Sequence, residues 1–500
     1  MGLAYAACGE NDKAYDAFFK STWSAETQSA GFYWLSCLAA QKGDLENALD
    51  FAEKSLIRNW HNMKARTLKA ALLRLLGQDN EALLKESLAI DPLYMGCRYE
   101  MALRENSDAS MEAWVHTMRS EAHNYLELAL DYQKAGLYED TLGILKACPD
   151  PNPMVYYYEG SILLTLGNRQ EALAAFARGE AACPDCCFPN RIEEIRILTD
   201  AADALEHAPM AHYYLGCLFY DKRQYELAIG HWEAAASEEQ TENARAMTWR
   251  NLAIAYYNKQ KDGPKALAAM EKARQADPGY PRFLLEYDQL AARLNLPVAQ
   301  RLQCMEEAPE LTAARDDLFL RYITLLNCVG RYQEAYDALR SRRFHPWEGG
   351  EGKVSAQYRY ALIHLARAEM KNGRYPEAIR LLEATLSYPE NLGEGKLPNV
   401  PDNQAYYFMG VAYRQMNQEE KAREYFRLAA SGPQEPGSVL YYNDQPSDFI
   451  YYQGLASRAL GDEAAARKAF HKLISFGERH VFDHVEYDFF AVSLPEIEVF

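Results

Sequence analysis

Two ten-residue elements of this chain bring carboxylates, ammonium groups, an imidazole and an indole onto short glycine-rich loops. They are His345-Pro346-Trp347-Glu348-Gly349-Gly350-Glu351-Gly352-Lys353-Val354 and Tyr388-Pro389-Glu390-Asn391-Leu392-Gly393-Glu394-Gly395-Lys396-Leu397, which share the pattern [HY]-P-x-x-x-G-E-G-K-[VL]. Alternating glycines free the backbone for positive φ and close approach, and the Glu and Lys between them place charge on a shaped loop. A third polar stretch, Tyr441-Tyr442-Asn443-Asp444-Gln445-Pro446-Ser447-Asp448, follows in a comparable position. Carboxylates beside a flat aromatic ring suit sugars, because they accept hydroxyl hydrogen bonds while the ring offers an apolar face. Glu351, Glu394 and Asp444 are the candidate catalytic carboxylates. His345, Trp347, Glu348, Glu351, Lys353, Glu394, Lys396, Asn443, Asp444 and Asp448 form the wider set for binding a ligand or docking a domain, with Arg342 and Arg343 nearby. Each Glu-Lys pair reads equally as a solvated surface pair of little energetic weight.

Other chemistries fit less well. A phosphate loop needs G-x-x-x-x-G-K-[ST] after a strand, whereas Lys353 and Lys396 precede Val354 and Leu397 in a helical context. Cys183-Pro184-Asp185-Cys186-Cys187 contains one C-x-x-C without a second pair or an H-x-x-x-H, so no metal and no cofactor is expected. Ten cysteines without framework spacing suit reduced thiols, hence a cytoplasmic location. Acids outnumber bases 71 to 53, and the formal charge of −18 speaks against nucleic acid or an anionic membrane as partner. No apolar run reaches the length of a membrane span, and the first residues lack the regions of a signal peptide.

The elements that must position these loops repeat along the chain at about 34 residues, in the helix-turn-helix pattern of the tetratricopeptide repeat, TPR. Gly160, Leu163, Gly167, Ala172, Phe176 and Pro184 form one unit. Trp249, Leu252, Ala253, Tyr256, Ala266, Ala273 and Pro278 form another, with a one-residue insertion. The expected fold is therefore an all-α TPR solenoid of about a dozen repeats, some degenerate. Most of the 35 tyrosines and 19 phenylalanines are assigned to packing between helices.

The register divides the chain into a first stretch over 1–185, a lapse over 186–209 with one amphipathic helix near 190–205, a second stretch over 210–473, and a cap segment over 474–500. Gly2, Tyr5, Gly9, Ala14 and Phe18 sit in register with the opening of the first helix missing, which predicts further structure upstream of Met1. Long inter-repeat loops are placed at 344–354, 388–403 and 433–447. The two glycine elements lie 43 residues apart, one repeat plus an insertion, so all three loops are expected on one edge of the solenoid. Such loops bind a ligand, dock a neighbouring domain, or plug the local structure.

The inner surface of a TPR solenoid offers a different site. Tyr213, Tyr220, Tyr257, Arg367, Tyr407, Arg414, Tyr451 and Arg458 fall at first-helix positions expected to face it, where a protein segment could lie. No unit carries the Lys and Asn pair that clamps a terminal carboxylate in chaperone-binding TPR domains.

The stretches Tyr15–Trp23, Arg342–Lys353, Asn391–Lys396, Tyr442–Pro446 and Asp488–Pro495 resemble, over nearly the whole length, the C-terminal TPR array of large bacterial proteins. Those proteins carry an uncharacterised N-terminal domain similar to a galactose-mutarotase-type β-sandwich. The resemblance implies a link to carbohydrate metabolism and two partners for the loops: an upstream β-rich domain, of the same or another protein, and a carbohydrate. Three alternatives follow. One is a scaffold module whose loops complete a site on that domain; another is a freestanding scaffold with a protein segment in its groove; the third is an enzyme acting through the loop carboxylates.

Overall fold

The computed structural model describes residues 1–238, 242–347, 349–437, 446–483 and 499–500. Among them the regular structure is helical throughout, and successive helices pair as antiparallel hairpins. The fold is a TPR solenoid. One contact recurs in its pairs: Gly2, Gly160, Gly216, Gly410 and Gly454 each lie under an aromatic ring sixteen positions later, on Phe18, Phe176, Trp232, Phe426 and Phe470. A Cβ at any of these glycines would stand 2.4–2.7 Å from the ring. The missing side chain on the first helix therefore makes the room that the ring of the second helix fills. Where Ser36 replaces the glycine, its hydroxyl donates to the Ala48 carbonyl at 2.6 Å, and the position sixteen later is the buried Ala52. The hairpin turn needs a left-handed residue, and Gly43, Gly136, Gly167, Gly330 and Gly373 supply it at φ 73–83°.

The chain divides into two compact units, Met1–Leu252 and Ala253–Phe500. The division does not fall at the lapse over 186–209. That segment holds the helix Glu193–Ala204, whose Ile197, Leu198 and Ala201 share a core with Tyr157, Tyr158 and Phe176. Tyr158 Oη also donates to Glu194 at 2.9 Å, so the segment is built into the first unit despite losing the repeat signature.

In the first unit the inner helices close on one another. Helix Gln28–Gln41 touches Ala122–Lys134, and Gln41 Nε2 donates to the Lys134 carbonyl at 2.8 Å. Lys64 of helix Met63–Leu75 pairs with Asp131 of helix Ala122–Lys134 at 2.7 Å. In the second unit the inner helices Lys353–Lys371, Asn403–Gln415 and Phe449–Leu460 stack in succession. The last repeat runs further than its register, with a closing helix over Glu463–His480. The cap segment beyond it lies outside the described residues over 484–498. Among the described residues no helix is long and apolar enough to cross a membrane.

Candidate functional site

The two glycine elements meet. The Phe344 amide donates to the Asn391 carbonyl at 2.8 Å, and Asn391 Nδ2 donates to the Leu339 and Arg342 carbonyls at 2.8 and 2.9 Å. Arg340 completes this contact by donating to Asn391 Oδ1 at 2.9 Å. Asn391 thereby satisfies the Leu339 carbonyl in the last turn of helix Tyr332–Arg340 and the Arg342 carbonyl just beyond it. Gly393, at φ 81°, lies so close to the Phe344 carbonyl that a Cβ would stand 2.5 Å from it. Leu392 and Phe344 are buried in the core beneath.

Glu394 crosses to the first element. Its Oε2 accepts from the Gly352 amide at 2.8 Å and its Oε1 from the Ser355 amide at 3.0 Å, at the start of helix Lys353–Lys371. The residue at the helix N-cap is Gly352, which has no side chain to cap with, and a carboxylate from the next loop fills that role. Lys396 lies against Asp402 at 2.6 and 2.7 Å and also donates to the Leu386 carbonyl at 3.2 Å. Asp402 is the N-cap of helix Asn403–Gln415, and Arg359 also approaches it at 3.6 Å. His345 binds Asp316 through its amide at 2.8 Å and through Nδ1 at 3.2 Å, although its ring is largely exposed. Arg342 pairs with the same carboxylate at 2.5 Å.

Trp347 packs on the core and over Gly350, where a Cβ would meet its ring at 2.1 Å. Its Nε1 is buried and has no hydrogen-bond partner among the described residues. The indole lines a cleft of about 230 Å³ together with Asp317, Thr324, Lys353 and Gln357. Glu351 is half-buried, and Asp448 is exposed at the start of helix Phe449–Leu460. Glu348, Asn443 and Asp444 lie outside the described residues. The base of the third loop is held by Asn403, which donates to the Ala429 and Ser431 carbonyls at 2.8 Å, and by Gln453, which donates to Ser431 and Pro433.

The inner helices of the second unit carry a more regular pattern. Tyr and Arg stand seven residues apart as Tyr360/Arg367, Tyr407/Arg414 and Tyr451/Arg458 on three successive first helices. Each guanidinium lies over a ring: Arg367 over Phe408 at 5.5 Å, Arg414 over Phe426 at 4.5 Å, and Arg458 over Phe470 at 5.1 Å. Glu419 and Glu463, each five residues after its arginine, approach Arg414 and Arg458 at 3.3 Å. Tyr360 and Tyr451 are 45% and 46% exposed. Tyr360 was missed from sequence because Ile363 replaces the small residue that marks the register in the next two repeats; the Tyr-to-Arg spacing of seven was the available signal. Tyr257 packs edge-on to Phe500. In the first unit, Tyr213 is half-buried against Tyr214, and Tyr220 packs on Tyr225 and Trp232.

Cys183 and Cys186 are exposed and Cys187 is buried. Among the described residues no three His, Cys, Asp or Glu side chains gather as metal ligands would.

These features define the class as a helical-repeat scaffold of the TPR type. Residues 213–281 and 363–436 match the family described as "Tetratricopeptide repeat". The chain is similar to the "TPR repeat-containing protein YpiA" of Bacillus subtilis (strain 168), at 23% identity over 361 residues, covering 67% of this chain and 76% of that protein. Among solved structures, Naa15/Naa10 bound to HypK-THB matches 96% of this chain and 88% of that chain, with 13% identity and a TM-score of 0.32. MamA 41-end from Desulfovibrio magneticus RS-1 matches 39% and 97%, with 22% identity and a TM-score of 0.22.

Proposed function

We propose that this chain is a protein-interaction scaffold whose second unit takes an extended, acidic segment along its inner face. The observation that carries this is the Tyr/Arg series over three successive inner helices, each guanidinium placed over a ring. A guanidinium fixed in this way keeps N–H donors at its rim for a carboxylate and loses little rotamer freedom on binding. The neighbouring tyrosines offer large, rigid contact area. Glu419 and Glu463 hold Arg414 and Arg458 in the free protein, and an incoming carboxylate would exchange with them.

The test is an immobilised library of acidic peptides probed with the full chain. Binding should fall at least about tenfold in Tyr407→Ala and in Arg414→Ala, as expected of aromatic and arginine anchors, with unchanged far-UV dichroism. Peptides that bind equally well to both variants would refute the inner-face site.

A second reading keeps the carbohydrate link implied by the resemblance, and the cleft beside Trp347 supports it. A buried indole N–H without a protein acceptor, next to Asp317, Thr324 and Gln357, suits a hydroxyl-rich ligand. Titrating a panel of sugars against tryptophan fluorescence, with Trp347→Phe as control, tests it; no Trp347-dependent change removes it. The loops as docking elements for an upstream β-rich domain remain part of this second reading, with His345 and Lys353 as the outward groups. An enzymatic role for Glu351 and Glu394 would require that Glu351→Gln and Glu394→Gln abolish a turnover shown by the intact chain.

A further inference from the structure

We propose that Val499–Phe500 is a tethered ligand of the second unit's inner face, seated on a π-turn at Tyr256–Gln260. The repeat that begins near Trp249 carries one residue more than its neighbours. The structure absorbs it as a five-residue π-helical turn, Tyr256–Gln260, closed by Lys261 at φ 59° and by the Asp262 amide donating to the Tyr256 carbonyl at 2.9 Å. A π-turn spreads an extra residue around the helix and re-aims the side chains it carries, which is why such turns are frequent at functional sites.

Here the re-aimed side chains hold a distant part of the chain. Asn258 Nδ2 donates to the Val499 carbonyl at 2.8 Å, and the Tyr257 ring meets the Phe500 ring edge-on at 5.8 Å and 82°. Phe500 is only 8% exposed, as a core residue would be. Tyr256 anchors the turn from below, itself buried, with Lys265 Nζ 3.9 Å above its ring.

The chemistry of the seat defines what it accepts. Asn258 reads a main-chain carbonyl and is indifferent to the side chain that precedes the ring. Tyr257 reads an aromatic side chain through its edge. The ligand class is therefore an apolar–aromatic dipeptide. A tethered occupant, whose effective concentration is on the order of millimolar, can hold the seat through weak contacts and still be displaced by a partner. Tyr257 is one of the positions that the repeat register aims at the inner face. Resting on the inner-face reading above, the consequence is that a partner segment must compete with Val499–Phe500 for that end of the surface.

The probe is a fluorescein-labelled peptide of residues 493–500, Ser-Leu-Pro-Glu-Ile-Glu-Val-Phe, titrated by anisotropy into the chain of residues 1–500. Its apparent affinity for the Val499→Gly/Phe500→Ala variant should exceed that for the wild type at least about tenfold, because the wild-type seat is already filled. Adding Asn258→Ala to that variant should abolish the gain. Equal binding to wild type and variant, no binding to the variant, or a gain that survives Asn258→Ala would overturn the proposal. Amide exchange gives an independent check: Phe500→Ala should accelerate exchange across 256–262 while far-UV dichroism is unchanged, and unaltered exchange there would also overturn it. These readouts depend on Asn258 and Phe500 and not on Arg414, so their failure is separable from failure of the inner-face site.

Discussion

Replacing Glu394 with glutamine separates a structural carboxylate from a catalytic one. In the native loop its two oxygens accept from the Gly352 and Ser355 amides at 2.8 and 3.0 Å, capping a nineteen-residue helix whose own N-cap position is glycine. Glutamine retains one carbonyl oxygen and turns an NH2 group toward the other amide, so one charge-assisted bond is lost and the helix dipole loses its counter-charge. A hydrogen bond to a charged group contributes about 1.5–3 kcal/mol, and a terminal charge about 0.5 kcal/mol. Because Glu394 is only half-buried, water replaces part of this, and about 1.5 kcal/mol remains as the expected loss. A repeat array need not unfold in one step, so the local readout is preferable to a global midpoint. Amide exchange across 352–360 should accelerate roughly tenfold in Glu394→Gln, at about 1.4 kcal/mol per decade, and further in Glu394→Ala, where both bonds go. Exchange within about twofold of wild type in both variants would refute the capping role. A turnover abolished by Glu394→Gln with exchange unchanged would restore the catalytic one.

Gly393→Ala should destabilise the loop pair by about 2 kcal/mol or more through positive φ and a clash with the Phe344 carbonyl, whereas Gly395→Ala, with open space around its Cβ, should be near neutral in the same exchange assay. Gly410→Ala should cost about 1–3 kcal/mol by pushing on Phe426, measured as a drop in thermal midpoint. Burial pushes the Cys37 and Cys187 thiols up to about 12, while Cys8, Cys183, Cys186 and Cys328 are exposed. Iodoacetamide at about pH 8 should therefore modify the exposed four and reach Cys37 and Cys187 only on unfolding, read by mass spectrometry. Burial and the adjacent His212, 2.9 Å away through Nδ1, hold His231 below its ordinary 6.5. The unfolded chain then takes up that proton first, so this contribution to stability is complete above pH 6.5 and is lost as pH falls below it. The thermal midpoint should drop between about pH 7 and about pH 5, and less so in His231→Asn.

What could be read from the sequence was what repeats locally. Where a first helix carries the glycine, that residue and the aromatic sixteen residues later are both inside one unit, so periodicity exposes them without knowledge of the partner helix. The extra residue near Tyr256 was legible as an insertion, and its resolution into a π-turn was not, because several backbone solutions absorb one residue. The adjacency of the two glycine elements followed from their spacing. Their contacts did not: a helix cap ordinarily precedes its helix by a residue or two, and Glu394 reaches Gly352 from 42 residues downstream. Asn391 likewise acts on carbonyls 49 and 52 residues away. The boundary at 252/253 left no mark, since the repeat period continues through it, while the lapse at 186–209 left a mark without being a boundary. Nonrepeating sequence there still supplies Ile197 and Leu198 to a shared core.

The same side chains in the two glycine elements do different work, and this bears on where function resides. Glu394 has both oxygens engaged by backbone amides at the start of helix Lys353–Lys371, and Lys396 is held by Asp402, so both side chains already have structural partners. Duplication of the element is better explained by stacking: each copy closes a long inter-repeat connection, and the second leans on the first through Asn391, Gly393 and Glu394. The polar groups that keep an outward edge are elsewhere, on Arg367, Arg414 and Arg458 of the inner helices and around Trp347. Selection for a loop clasp and for a binding face can thus be separated by experiment, because Glu394→Gln should loosen helix Lys353–Lys371 without changing peptide affinity at Arg414, and Arg414→Ala should do the reverse.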